Sequence, residues 1–199
     1  LMQTVPYRYL RALFELVAAV AEGDPVTARD LVDPLRLGFC PPDATDGWPV
    51  DGETVAGIER RLDAGGGGGE EGQPFGDWTE AIRATSRSDE WPALVAFVDW
   101  LETTAEEPPE SGAEVVDLIE SLLDGHLTTH TGSPVRQPTG PGIDTRRTAL
   151  GAAHDSHVVD RLRGEADRVG GYVDRAVETG LDEPGWQLTA DAVTNVCGG

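Results

Sequence analysis

The chain has 199 residues, enough for one domain or two small ones, and no lysine: all 15 basic residues are arginine, against 36 Asp and Glu, for a net charge of −21. A Walker A phosphate loop needs a lysine on the phosphates and Schiff-base catalysis needs a lysine amine, so neither chemistry can be built from this chain. The hydrophobic fraction of 39% is low but sufficient for a core.

Acidic residues are spread along the whole chain. Such a surface repels itself at low salt, whereas at roughly 1 M salt the Debye length is about 3 Å and the repulsion is screened. The composition is therefore expected of an extreme halophile; mimicry of a nucleic acid, or binding of a basic partner, is the alternative. Cys40 and Cys197 lie far apart and outside any CxxC spacing. With no signal peptide and no apolar run near 18 residues, a reduced cytoplasmic protein with two free thiols and no membrane span is expected. Leu1 at the start, and Cys197-Gly198-Gly199 directly after a predicted helix, are expected of a piece of a longer polypeptide or of terminal processing.

Residues 6–22 carry Leu10, Leu13, Phe14, Val17 and Val20 at helical spacing, with Pro6 tolerated in the first turn and Gly23 and Pro25 as stops. A second short helix is predicted from Thr27 to Leu37, with Leu31, Leu35 and Leu37 on its apolar side. Cys40-Pro41-Pro42 breaks it, and a loop follows to Val50. Glu53 to Ala64 forms a third helix with Val55, Ile58 and Leu62 inward. Gly65 to Gly69, followed by Glu70-Glu71-Gly72, reads as a flexible linker; without a following Lys or Ser/Thr it makes a poor phosphate cradle.

Asp77 is placed as the cap of a fourth helix with Trp78 and Ile82 inward, and Asp89 as the cap of a fifth, from Glu90 to Thr104. The fifth has a stripe of Trp91, Leu94, Val95, Val98 and Leu101, with Phe97 and Trp100 beside it, and Pro108-Pro109 ends it. Ser111 to Leu127 forms a sixth helix with Val115, Leu118, Ile119, Leu122 and Leu123, and Ser111 and Glu114 have the spacing of a capping box. A polar loop covers 128–149. A long helix from Leu150 to Thr179 follows, with Val158, Val159, Leu162, Val169, Tyr172, Val173 and Val177, and Gly170-Gly171 as a possible kink. Thr189 is placed as the cap of a last helix through Val196. The expected fold is all-α, an irregular multi-helix bundle of about seven to eight helices without internal repeat. Its parts are an N-terminal helical segment (1–64), the Gly-rich linker (65–76), a helical segment (77–127), the polar loop (128–149) and a C-terminal long helix with a short one (150–199).

Residues 38–134 hold 4 Arg and 21 acidic residues, whereas residues 135–175 hold 7 Arg and 6 acidic residues. Only the second stretch can face a phosphate backbone, with Arg146, Arg147, Arg161, Arg163 and Arg168 as contacts. The plainer reading is ion pairing on a solvated helix face, as for Arg163 with Asp167. His126, His130, His154 and His157 fall in H-x3-H and H-x2-H spacings that a zinc ion could use, with Asp155 as a further ligand. Exposed polar histidines are the plainer reading, since no Cys lies nearby and HExxH is absent. Close carboxylate pairs such as Glu70/Glu71 and Glu106/Glu107 arise from sheer abundance. No GxSxG motif occurs, and Cys40, with no His near it in sequence, reads as a packed or free thiol. Trp48, Trp78, Trp91, Trp100 and Trp186 read as packing residues, with Trp48 the best candidate for base stacking.

The opening TVPYRYLRALFELVAAVAEGDPVTARDLVDPLRLGFC (Thr4 to Cys40) resembles a passage in recombination helicase–nuclease proteins, the AddB/RecC-like subunits and their UvrD-like superfamily I relatives. A Pro-containing turn (Pro6) leads into an apolar helix, an acidic turn with Asp24 and Asp30, and a short helix running through Leu35 to Phe39. WPALVAFVDWLETTAEEPP (Trp91 to Pro109) is similar to a later helix of the same region that ends in a Trp-Leu pair. In that family the region is a helical insertion that packs around the motor core and helps to guide DNA. The resemblance implies a non-catalytic accessory domain without cofactor, partnered by helicase and nuclease domains, with DNA as a further candidate partner. The family's ATP-binding and nuclease centres rely on lysines, so no catalytic residue carries over. A free-standing helical scaffold or interaction protein is the second reading, and a histidine-bound metal enzyme the third.

Overall fold

Helix α1 (Val5–Glu22) is the hub of the fold. Its sequence is apolar around most of its circumference, and the structure buries Tyr7, Tyr9, Leu10, Leu13, Phe14, Leu16, Val17 and Ala18. A helix apolar nearly all round must be enclosed by others. Here α2 (Ala28–Arg36), α5 (Pro92–Glu106), α6 (Gly112–Leu127), α7 (Ile143–Glu178) and α8 (Trp186–Cys197) all pack on it. The remaining helices are α3 (Gly52–Leu62), against α2, and α4 (Phe75–Thr85), against α5. The computed structural model describes residues 5–37, 50, 52–62, 64, 72–85, 92–127, 143–180 and 184–197. Among the described residues there are eight helices and no strand, so the protein is an all-α multi-helix bundle.

Most residues of the apolar stripes read from sequence are buried, but Leu37, Val95 and Leu118 are only half-buried, and Phe97, placed beside the stripe of α5, is in the core. Leu31 and Leu35 of α2, Val55, Ile58 and Leu62 of α3, and Trp78 and Ile82 of α4 are buried. So are Leu94, Val98 and Leu101 of α5 and Val115, Ile119, Leu122 and Leu123 of α6. Phe14 meets Trp186 with ring centroids 6.2 Å apart, which ties α1 to α8. Trp100 stacks on Phe97 at 6.4 Å. Exposed ion pairs brace neighbours: Arg36 to Glu59 at 2.7 Å links α2 to α3, and Arg83 to Asp99 and Glu102 links α4 to α5. Pairs this exposed contribute little because water and salt screen them, so the apolar contacts hold the bundle together.

Several boundaries differ from the sequence reading, each for a local reason. Helix α2 has a complete capping box at Thr27 and Asp30: Asp30 N donates to Thr27 Oγ1 at 3.2 Å, and Thr27 N donates to Asp30 Oδ2 at 2.9 Å. At α6 the expected box is only half made. Glu114 N reaches Ser111 Oγ at 3.4 Å, but the Glu114 carboxylate accepts from Glu110 N at 2.8 Å. Asp77 is not the cap of α4, which starts two residues earlier at Phe75, behind Pro74, whose carbonyl accepts from Asp77 N. Thr189 does not cap α8 either. It lies one turn inside, fully buried, with its N–H and hydroxyl both donating to Gly185 O. Helix α7 begins at Ile143, inside the stretch read as loop. Residues 143–149 lack an apolar stripe, which is the only helical signal that periodicity detects.

The end of the glycine-rich segment is pinned. Val26 and Gln73 exchange both backbone hydrogen bonds, at 2.9 and 3.0 Å, in an isolated antiparallel bridge. The Trp78 indole Nε1 donates to the same Val26 carbonyl at 2.7 Å. Gly72 has φ +66°, and a Cβ there would stand 3.0 Å from the Val26 carbonyl group. A run of five glycines, Gly65 to Gly69, lies just before it, but Gly72 is the one required by conformation and by space.

Candidate functional site

Helix α7 carries the arginines singled out by charge, and the structure separates them. Arg161 and Arg168 are exposed, while Arg163 is half-buried and pairs with Asp160 at 3.9 Å. Residues two apart point to opposite sides of a helix, so Arg161 and Arg163 cannot serve one surface. Arg168 pairs with Glu165 at 2.5 Å. Asp160 and Asp167 directly precede Arg161 and Arg168, which lowers the local positive potential around both. Arg146 and Arg147 sit in the first turns of α7, and their side chains lie outside the description.

The histidines divide between two helices. His126 lies in the last turn of α6, His154 and His157 lie in α7, and His130 falls outside the described residues. The His157 side chain is exposed. Among the described residues no group of three or more His, Cys, Asp or Glu could hold a metal ion. Of the tryptophans, Trp78 and Trp186 are core residues and Trp100 is half-buried; Trp48 and Trp91 lie outside the described residues, as does Cys40.

Two shallow cavities flank α1. One of about 290 Å³ lies against α2 and is lined by Ala12, Leu16 and Val26 with Glu15, Asp30 and Asp33. The other, about 220 Å³, lies against α8 and is lined by Ala18 and Ala190 with Asp24 and Asp191. The nearby carboxylates are largely engaged: Glu15 with Arg11, Asp30 with Thr27, and Asp33 with Arg29 and Arg36. Such a rim repels anions and leaves little for a ligand to coordinate.

Sequence reading gave Cys197 no structural role, whereas the structure buries it at 2% exposure. Burial pushes its thiol up to about 11, with Glu165 adding to the rise and Arg168 opposing it. The thiolate is the reactive form, so this thiol is inert in the folded protein. Because the folded pKa lies above the ordinary 9.0, the stabilisation is fully present below pH 9 and is lost as pH rises through about 11. Tyr7, raised by burial, acts in the same direction at the top of that range. In urea titrations at fixed high salt, stability is expected to fall by on the order of 1–3 kcal/mol between pH 9 and 11, with a shallower fall in Cys197→Ala. An equal slope in the variant would remove Cys197 as the cause.

Among the described residues no helix is long and apolar enough to cross a membrane. No protein-family model, curated protein or solved structure matches the chain.

Proposed function

We propose that the chain is a helical accessory domain of a DNA-repair helicase–nuclease, which packs on motor or nuclease domains and helps to guide DNA. The observation that carries this reading is the character of the interior. Among the described residues the interior is apolar apart from Thr79 and Thr189, whose hydroxyls donate to a backbone carbonyl one turn earlier, Gly76 or Gly185, and from the polar atoms of the buried aromatics Tyr7, Tyr9, Trp78 and Trp186 and the Cys197 thiol. Such an interior builds shape and presents surfaces; it does not gather reactive groups. Among the described residues the groups displaced from their ordinary ionisation are scattered, Tyr7 and Cys197 by burial and Arg11, Arg36 and Arg83 by exposed ion pairs. The resemblance of residues 4–40 and 91–109 to the helical insertion of helicase–nuclease subunits supplies the partner. DNA contact is assigned to Arg146 and Arg147, because Asp160 and Asp167 directly precede Arg161 and Arg168.

The test is affinity capture of the native protein from a high-salt extract of its source cells, with peptide mapping of everything linked to it or bound to it. Peptides from a motor with a lysine-containing phosphate loop are expected, together with weak DNA binding that is lost in Arg146→Gln/Arg147→Gln. A lone protein near 21 kDa, with no motor partner and no DNA binding, would move the assignment to a free-standing helical scaffold.

A further inference from the structure

The outer face of α7 carries a repeat that apolar periodicity does not reveal. Asp-Arg recurs every seven residues, at Asp160-Arg161, Asp167-Arg168 and Asp174-Arg175. The buried residues Leu162, Ala166, Val169 and Val173 run along the opposite side. At 3.6 residues per turn, positions seven apart drift by only about 20°. The three aspartates therefore form one row and the three arginines another, about 100° apart around the helix. All six are exposed. Between the rows lie Gly164 and Gly171, and nothing stands within 4 Å of where a Cβ would sit on either. A second helix can approach this strip closely.

The two rows decide what fits. A polyanion laid along the strip would meet the aspartates as directly as the arginines, so a nucleic-acid backbone is disfavoured here. A partner helix must bring an acidic row to the arginines and a basic row to the aspartates. The same face of a second copy has both, in the same register. Orientation follows from symmetry. A two-fold axis perpendicular to the helices makes them antiparallel and sets arginine row against arginine row. An axis running along them makes them parallel and sets each arginine row against the partner's aspartate row.

We infer that the Asp–Arg face of α7 is a self-association surface, through which two copies of this chain pair with their α7 helices parallel. The contact is ionic around a narrow glycine floor, without an apolar centre, so the dimer is weak and transient. The pair of Arg168 with Glu165 is largely exposed and exchanges readily for contacts with the partner, whereas Asp174 stays bonded to Gly112 N, so Asp160 and Asp167 carry the acidic row. This inference is independent of the DNA-repair reading, since it concerns the chain alone.

Sedimentation equilibrium of the purified chain tests it, at protein concentrations up to about 1 mM and at the lowest salt that keeps the helical circular dichroism intact. A dissociation constant on the order of 0.1 mM is expected. Arg161→Asp/Arg168→Asp, and separately Asp160→Arg/Asp167→Arg, are expected to weaken pairing at least tenfold, because each places like charges face to face. Mixing the two variants is expected to restore a mixed dimer. Asp174 is left unchanged because it also bonds to α6. The inference is overturned if the wild-type chain stays monomeric throughout, if either variant dimerises as well as wild type, or if mixing restores nothing. Absence of a motor partner in the extract would sink the helicase reading and leave this result untouched.

Discussion

Gly170→Leu is expected to abolish the folded state, while Gly171→Leu, one residue later, leaves it folded. Gly170 lies where α7 crosses the start of α6. A Cβ on Gly170 would stand 2.6 Å from the Gly112 carbonyl oxygen and 2.8 Å from Val116 Cγ2. A Cβ on Gly112 would likewise overlap the Gly170 carbonyl. Backbone atoms cannot step aside as a flexible side chain can, so the two helices would have to separate. Their separation would also break the bond from Gly112 N to Asp174 Oδ1 at 2.7 Å, which satisfies one of the free donors at the start of α6. Even Gly170→Ala is expected to lose about 2–3 kcal/mol, after allowing about 1 kcal/mol for better helix propensity. Its Tm would fall by roughly 4–12 °C. At Gly171 there is open space, so Gly171→Ala should gain about 0.5–1 kcal/mol. Thermal melts followed by circular dichroism in high salt check both. Equal effects at the two positions would show that the crossing is not as close as described.

That pair of glycines shows where sequence reading stops. Gly170-Gly171 looks like a single flexible point in the chain, a place for a kink. Only the approach of Gly112, some sixty residues earlier in sequence, separates a packing glycine from an open one. Gly72 makes the same point within the glycine-rich segment: its positive φ and its contact with Val26 cannot be told from the run of glycines before it. By contrast, the inward faces of α2 to α6 were legible, because period-3.6 placement of Leu, Ile and Val is a local signal and the hydrophobic effect acts on it directly. Caps were legible only in part. Thr27 and Asp30 close a full box, but the starts of α4 and α8 are set by Pro74 and Gly185, so the better-looking Asp77 and Thr189 end up inside their helices.

The candidate site was less legible still. Charge counting over residues 135–175 found an arginine-rich stretch, but counting ignores direction around the helix. On α7 the buried stripe fixes which residues face out, and only then do Asp160, Asp167 and Asp174 fall into line beside Arg161, Arg168 and Arg175. A stretch that looks nearly neutral in total becomes two ordered rows of opposite sign. This arrangement turns a solvated helix face into one with a preferred partner and a preferred direction.

Trp78→Ala is expected to cost about 4 kcal/mol, and Trp78→Phe only about 1–2. Trp78 is 2% exposed and among the largest fully buried side chains. Its removal to Ala leaves a large cavity beneath α4 and deletes the bond from its Nε1 to Val26 O, across 52 residues of sequence. The Val26 carbonyl keeps its second donor, Gln73 N at 3.0 Å, so losing the indole does not strand an unpaired acceptor. For that reason Phe, which refills most of the volume, should recover most of the stability. Urea unfolding in high salt, followed by circular dichroism, measures both variants, and a constant slope with a lowered midpoint marks a loss of stability alone. If Phe proved as damaging as Ala, the hydrogen bond rather than the packing would hold α4 to the α1–α2 turn. Packing is the stronger expectation, because a net hydrogen bond contributes about 1 kcal/mol while a buried tryptophan removes far more apolar surface from water than that bond can offset.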